Sequence, residues 1–529
     1  MKRIKITNFR KAKEPCEIEL GPITFFTGQN NSGKSTVLKS LMVLSDYGKS
    51  DNHLELTFRG ENKWNHKIDC YQNASNWDNF KQGMHEIEFS FDNRDFQTTL
   101  KFRPLIQTLK KTEKIQSGLL ESISITRISD GSWFKMEHLE EDKFQIHVEE
   151  RFIESRKTDT SREIENLEIY KSKIERRIES GEKRLLDTKE TRTQIRLKED
   201  IAKQKQTIKD INISLKELHG EMQVDKDILV FSPIFEMKDL RDGLPVIDRI
   251  IRMSLMKYFR ENEKQIGYSN DRNINFTLMR VSDTITGAIN FTVDHLSPHR
   301  NSQTRLYIND EHTNDIYDLI SKHAQNPIKK TSRAGKFLKD WMVKFDIGID
   351  YNIKPVEGIA SMIHIYESEE DKKNETPINL VDKGFGAGQI FTILLCIALK
   401  INDKENGKRP MTRERFLLGK EAIIMIEEPE TNLHPALQSE LAELFFDAYD
   451  NYGIRFIIET HSEYILRKSQ LFVKSFNSEK SENEIPFKVY YFDKDKGPYQ
   501  MRYNSDGSFK DEFGKGFFDE SSRLIFDLY

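Results

Sequence analysis

Near the start of the chain apolar and polar side chains alternate, Ile4 and Ile6 against Lys5 and Thr7, which is the period of a half-buried strand. Residues 22–27 are more continuously apolar and predict a second strand that runs directly into glycine. Two more alternating runs, 85–91 and 98–102, flank Asp92-Asn93-Arg94 and predict a hairpin, so the first 150 residues read as strand-rich. From 155 to 222 the pattern changes: aromatics almost vanish, proline is absent, and apolar residues recur at heptad-like spacing. Ile164, Leu167, Ile174, Ile178 and Leu185 form one seam, and Leu197, Ile201, Ile208, Ile211, Leu215 and Leu218 another. The phase breaks at 187–193. Two helices of about 25 residues, rising ~1.5 Å per residue, predict an antiparallel hairpin on the order of 40 Å long, with a single long surface helix or a solvated charge run as the alternative.

Residues 225–380 are mixed, with a helix expected near 244–262 and strands near 274–294. A basic loop, Lys329-Lys330-Thr331-Ser332-Arg333, follows Pro327, and residues 367–377 read as an exposed loop. No internal repeat is evident. Hydrophobic residues make up 37% of the 529 and charged residues 32%, enough for large cores and a long, charged, helical surface. The 82 Lys+Arg nearly balance the 86 Asp+Glu, so contact with nucleic acid would have to come from a local patch. Cys16, Cys70 and Cys396 form no CxxC pair, which argues against a disulfide framework or a zinc ribbon. Polar Lys5, Thr7, Asn8 and Arg10 interrupt the N-terminus, and no run is expected to reach the ~18 apolar residues that span a bilayer. A cytoplasmic protein with no membrane association is expected.

The strongest chemical signal is Gly28-Gln29-Asn30-Asn31-Ser32-Gly33-Lys34-Ser35-Thr36, which satisfies GxxxxGK[ST] directly after a predicted strand. A loop that curls backbone N–H groups around phosphates needs Gly28 and Gly33, with Asn30, Asn31, Ser32 and Thr36 completing the cradle. Lys34 would reach the β and γ oxygens, and the Ser35 hydroxyl would hold Mg²⁺. The run Ala422-Ile423-Ile424-Met425-Ile426 ends in Glu427-Glu428 and has the form of a strand buried on both faces with two acids at its tip. Glu427 is the candidate for the Mg²⁺ shell and Glu428 for orienting or deprotonating the attacking water. Ile457-Ile458-Glu459-Thr460-His461-Ser462 repeats the pattern, with His461 placed to sense a γ-phosphate. Before an apolar run stands Asp382-Lys383-Gly384-Phe385-Gly386-Ala387-Gly388-Gln389, where Gly386, Gly388 and Gln389 open a predicted helix and are candidates for contacting a second subunit's nucleotide.

This order of motifs resembles the ABC-type ATPases of the SMC and OLD (overcoming lysogenization defect) superfamily. The match is closer to its bacterial AAA-like branch, whose Glu-Glu-Pro-Glu-x-x-Leu-His-Pro pattern stands here at 427–435, with Glu-Thr-His-Ser at 459–462. Leu296-Ser297-Pro298-His299-Arg300 is similar to a Leu-Gly-Pro-x-Arg segment of the same proteins. The resemblance implies an α/β P-loop NTPase head with a mixed sheet, a coiled-coil hairpin insertion and a small β-rich C-terminal tail. The expected organisation is an N-terminal head lobe at 1–150, the hairpin at 151–224, a C-terminal head lobe at 225–480 and the tail at 481–529. It further implies ATP and Mg²⁺ as cofactors and a homodimer or higher homo-oligomer closed around ATP. The serine of the ABC signature is replaced, with Gly386 at its position, so phosphate contact would rest on backbone N–H groups. Only about 65 residues follow His461, too few for the Toprim nuclease domain of OLD proteins, so no nuclease activity is expected. Antiphage systems of the Septu and PARIS type use such Toprim-less ATPases, which implies a separate nuclease or toxin as effector partner. A DNA-engaging repair or chromosome-maintenance ATPase, touching phosphates through Lys329, Lys330 and Arg333, is the alternative, and a transporter energy subunit a more distant one.

Overall fold

The computed structural model describes residues 1–61, 63–105, 114–139, 143–153, 281–300, 304–308, 315–406, 422–476 and 485–528, with scattered positions from 168 to 256. The chain divides into two units, one of Met1–Ile125, Leu240–Ile250 and Asp283–Tyr529, the other of Thr126–Asp239 and Ile251–Ser282.

The first unit is α/β and is organised around a sheet of six strands. Their order is Val293–Leu296, Ile423–Glu427, Arg455–Glu459, Ile23–Gly28, Phe487–Asp493 and Gly497–Met501. The first five are parallel and the last returns antiparallel, so the sheet is mixed, as the sequence resemblance implied. All six residues of Ile23–Gly28 are buried, as are Ile423 through Ile426, because helices cover both faces of a parallel sheet and leave no side for polar residues. Helices Arg333–Lys344, Phe385–Asn406, Pro435–Tyr452 and Glu463–Ser475 contribute to the same core. The C-terminal hairpin expected as a tail is integral to this sheet: Val489 pairs with Phe25, and the Phe492 ring meets Phe26 edge-on at 5.3 Å between centroids.

A second, antiparallel sheet joins Arg3–Thr7 to Cys16–Glu19 on one side and to Ile87–Asn93 on the other, and Ile87–Asn93 closes the expected hairpin with Phe96–Pro104. Here burial alternates, Ile4 and Ile6 inward and Arg3, Lys5 and Thr7 half-buried, which is the pattern the sequence carries.

Three expectations need correction. Residues 281–289 are helical, not strand, since Val281, Ile285, Ala288 and Ile289 are buried at helical spacing; Val293–Leu296 is a strand, and 274–280 lie outside the described residues. The loop expected at 367–377 contains a short helix, Glu369–Asn374, stabilised by a capping box between Ser368 and Asp371. Helix Phe385–Asn406 is, by length and composition, apolar enough to cross a bilayer, against the expectation that no run would be. It is a core helix, with Ile390, Phe391, Ile393, Leu394 and Ile397 all buried.

In the second unit Trp133–His138 pairs antiparallel with Lys143–Glu149, which also takes Val230–Phe231 and Ile234–Glu236. Ile174 and Ile178 of the first heptad seam are buried with Ile201 and Ile211 of the second, and Lys205 Nζ lies 2.7 Å from Glu182 Oε1. The other seam positions (Ile164, Leu167, Leu185, Leu197, Leu215 and Leu218), the break at 187–193 and all but one residue of the helix expected at 244–262 lie outside the described residues.

Candidate functional site

At the C-terminal end of strand Ile23–Gly28 the backbone turns through Gly28 at φ +125°, Asn31 at +61° and Gly33 at +110° before helix Lys34–Lys49 begins. Gly28 is required twice over: its φ lies where side chains are strained, and a Cβ there would meet the Phe492 carbonyl oxygen at 2.3 Å. The resulting loop opens onto the first turn of a helix, where unsatisfied N–H groups favour an anion. Asn30, Asn31 and Ser35 are exposed, while Ser32 Oγ donates to the Gln29 carbonyl at 2.7 Å and Thr36 is buried. Lys34 is only 4% exposed; its ammonium donates to the carbonyls of Gly28 at 3.1 Å and Gln29 at 2.9 Å. Burial lowers its pKa, and the charges of Glu459 and Glu428 oppose that shift.

The parallel register sets Glu427 directly beside Glu459 at the ends of adjacent strands. Glu459 also faces the loop: its Oε1 lies 3.8 Å from Lys34 Nζ, and its Oε2 accepts from Ser35 Oγ at 3.4 Å. Burial, then Glu427, push the Glu459 carboxyl up to about 7. Glu427 Oε1 is 2.7 Å from His295 Nε2 on the neighbouring strand. Glu428 has left-handed backbone at φ +47°, held by its N–H to the Glu459 carbonyl at 2.8 Å and by Thr431 Oγ1 donating to its own carbonyl at 2.9 Å. His461 is exposed; its N–H donates to Glu430 Oε1 at 2.6 Å, and the charges of Lys34 and Glu428 both act on its ring, whose pKa burial lowers. Lys34, Ser35, Glu427, Glu428, Glu459 and His461 therefore share one edge of one sheet.

Among the described residues no three His, Cys, Asp or Glu side chains form a metal cage. A Ser35 hydroxyl beside the carboxylates of Glu427 and Glu459 is instead the sparse, hard-oxygen set that suits Mg²⁺ carried mainly by phosphate and water. The buried carboxylates, with Lys34 as near counter-charge, also fit a site that accepts a cation.

Glu459, His295 and Arg300 were not among the expected site residues. Glu459 carried a signal, since it ends an apolar run just as Glu427 does, but only strand register shows that the two are neighbours. Arg300 stood in a noted segment with no role; it is fully buried and contacts Gln389, Glu427 and Glu428. Helix Phe385–Asn406 turns two expected nucleotide contacts inward: Gly388 is buried with its carbonyl accepting from Thr392, and Gln389 is fully buried against Arg300. Neither offers a surface to a nucleotide, because every residue of the helix from 388 to 399 is buried. Gly386 is half-exposed, and a Cβ on it would stand 2.8 Å from the Asn432 carbonyl oxygen, so a serine there would crowd the turn after Glu428. In the basic loop, Lys330 Nζ lies 3.1 Å from Asp350, and Arg333 donates to the Asn451 carbonyl.

A family model described as AAA ATPase domain matches residues 1–466. No curated protein matches. Similar solved structures include the Smc head domain with an extended coiled coil from Pyrococcus furiosus, bound to the C-terminal domain of ScpA, at 10% identity over 100% of this chain and 98% of that one, TM-score 0.30. The SMC head domain from Thermotoga maritima is 9% identical over 95% and 98%, TM-score 0.32. The recombination mediator protein RecF is 10% identical over 93% and 96%, TM-score 0.28.

Proposed function

The chain belongs to the AAA ATPase domain family, and from that premise we propose that it binds ATP with magnesium, closes as a dimer around the nucleotide, and switches a separate effector in antiphage defence. The observation that carries the nucleotide part is the convergence of Lys34 and Ser35 with Glu459 at one strand end, beside Glu427 and Glu428. In this reading the 28–36 loop holds the phosphates, Lys34 meets the β and γ oxygens, and Ser35 with Glu427 and Glu459 holds the metal. The magnesium supplies charge neutralisation for the transferring phosphoryl group. Glu428 positions the attacking water and His461 contacts the γ-phosphate from the exposed side. Gly386, beside the Asn432 turn, covers the nucleotide of a second copy.

The effector role rests on the resemblance of the motif order, together with the heptad-spaced insertion, to the ATPases of Septu- and PARIS-type defence systems, with the insertion as the arm that reports the closed state. A cytoplasmic location and no nuclease activity of its own belong to the same proposal. The alternative, a DNA-engaging ATPase, draws on the basic loop, where Lys330 and Arg333 are already engaged within the chain. The deciding experiment assays purified protein for ATP hydrolysis with Lys34→Ala as control, then tests duplex binding across a salt series and co-purification with the product of the adjacent gene. ATP hydrolysis lost in Lys34→Ala, stable co-purification and no salt-dependent duplex binding support the proposal. Duplex affinity falling steeply with salt supports the alternative.

A further inference from the structure

A buried guanidinium is costly unless its donors are met, so the fully buried Arg300 is a place to ask what its charge secures. Its NH1 donates to Gln389 Oε1 at 2.7 Å. Its NH2 donates to two successive carbonyls, Glu427 at 2.5 Å and Glu428 at 2.9 Å. Those carbonyls flank the point where the backbone leaves the strand and enters the left-handed region at Glu428, a conformation that a residue with a Cβ keeps only where its surroundings hold it. Thr431 Oγ1 and the Glu459 carbonyl hold the same turn from other sides. Gln389 lies in the second turn of the helix opened by Gly384 and Gly386, so Arg300 joins that helix to the acidic strand end within one chain.

We propose that Arg300, braced by Gln389, is a positioning residue that sets the Glu428 carboxylate for hydrolysis and links its placement to the helix beginning at Phe385. The inference rests on the reading of Glu428 as the residue that orients water. Lysine cannot replace arginine here: an ammonium on a flexible stem is a point charge, whereas the planar fork reaches carbonyls and amide along separate directions. Arg300 acts through Glu428, not on the phosphates. Its loss should therefore spare nucleotide binding and slow turnover, because a small misplacement of a catalytic group can cost on the order of 100-fold in rate.

The test compares Arg300→Lys, Glu428→Gln and the double variant, with ATP turnover, affinity for a fluorescent ATP analogue and thermal unfolding measured on each. The expected result is a fall in kcat of about 30- to 100-fold for Arg300→Lys, affinity within about threefold of wild type, and no further loss when it is added to Glu428→Gln. Equal losses of affinity and kcat, or losses that multiply in the double variant, overturn the proposal. If Arg300→Lys does not fold, Gln389→Met removes one brace at similar volume and should show the same signature at smaller size; an unchanged kcat there overturns it too. A Glu428→Gln variant that turns over like wild type defeats the assignment of Glu428 itself. An inactive Glu428→Gln with a normal Arg300→Lys defeats only this inference.

Discussion

The Glu459 carboxylate accepts a hydrogen bond from the Ser35 hydroxyl at 3.4 Å, so the end of one strand reaches the first turn of the helix that follows the phosphate loop. The same carboxylate lies 3.8 Å from Lys34 Nζ, and its strand is the direct neighbour in the sheet of Ile23–Gly28, the strand that runs into the loop. An acid in this position couples the nucleotide site to the titration of the fold.

Burial and the adjacent Glu427 hold the Glu459 carboxyl protonated up to about 7, against an ordinary 4.5. Between those values the folded chain carries a proton that the unfolded chain has lost. Stability from this group is therefore complete below about 4.5 and falls as pH rises through 7, by up to about 3 kcal/mol. In nucleotide-free urea unfolding at pH 5 and pH 8, Glu459→Gln should lose less stability than wild type over that interval. Equal losses would show that Glu459 is not the titrating group.

Lys34 is the cation nearest Glu459 and fills the loop from below by donating to Gly28 and Gln29. Lys34→Ala removes the ammonium that would transfer these donors to phosphate oxygens. Affinity for an ATP analogue should fall by about 100-fold or more, the scale of two charge-assisted hydrogen bonds. Titration of analogue fluorescence measures this, and wild-type affinity would remove Lys34 from the site.

Glu428→Gln keeps the shape of the side chain and all the backbone contacts that fix the turn, namely those from Arg300, Thr431 and Glu459. Binding should persist while hydrolysis drops by about 100-fold or more, the usual contribution of a general base. ATP should then shift the variant to a dimer in size-exclusion chromatography, a shift that ADP does not produce. A variant hydrolysing at the wild-type rate would place the base elsewhere.

The parts of this site that are local in sequence were legible in it. The phosphate loop needs glycines within a few residues, and the strands before it and before Glu427 declare themselves as unbroken apolar runs. The antiparallel strands near the N-terminus are legible for the opposite reason, since one half-exposed face writes an alternation into the residues. What could not be read depends on register and helix phase. His295 meets Glu427 across 132 positions and Ser35 meets Glu459 across 424, distances over which spacing carries no information. Gln389 was misread for a related reason: a glycine-rich helix start looks like an anion site whichever way its fifth residue faces, and packing against Arg300 turned that residue inward.

Gly386 tests whether the departure from the ABC signature reflects chemistry or packing. Restoring the signature by Gly386→Ser would place a Cβ 2.8 Å from the Asn432 carbonyl oxygen and 3.4 Å from Leu433 Cδ2. Backbone on the facing side cannot rotate away as a side chain can, so the turn that follows Glu428 must shift. The expected result is a loss of about 1–3 kcal/mol in thermal or urea unfolding, with hydrolysis lowered rather than raised, because the displaced segment includes Asn432 and runs back to Thr431, which braces Glu428. A serine variant with unchanged stability and faster turnover would mean that the hydroxyl is accommodated and that Gly386 was limiting the phosphate contact.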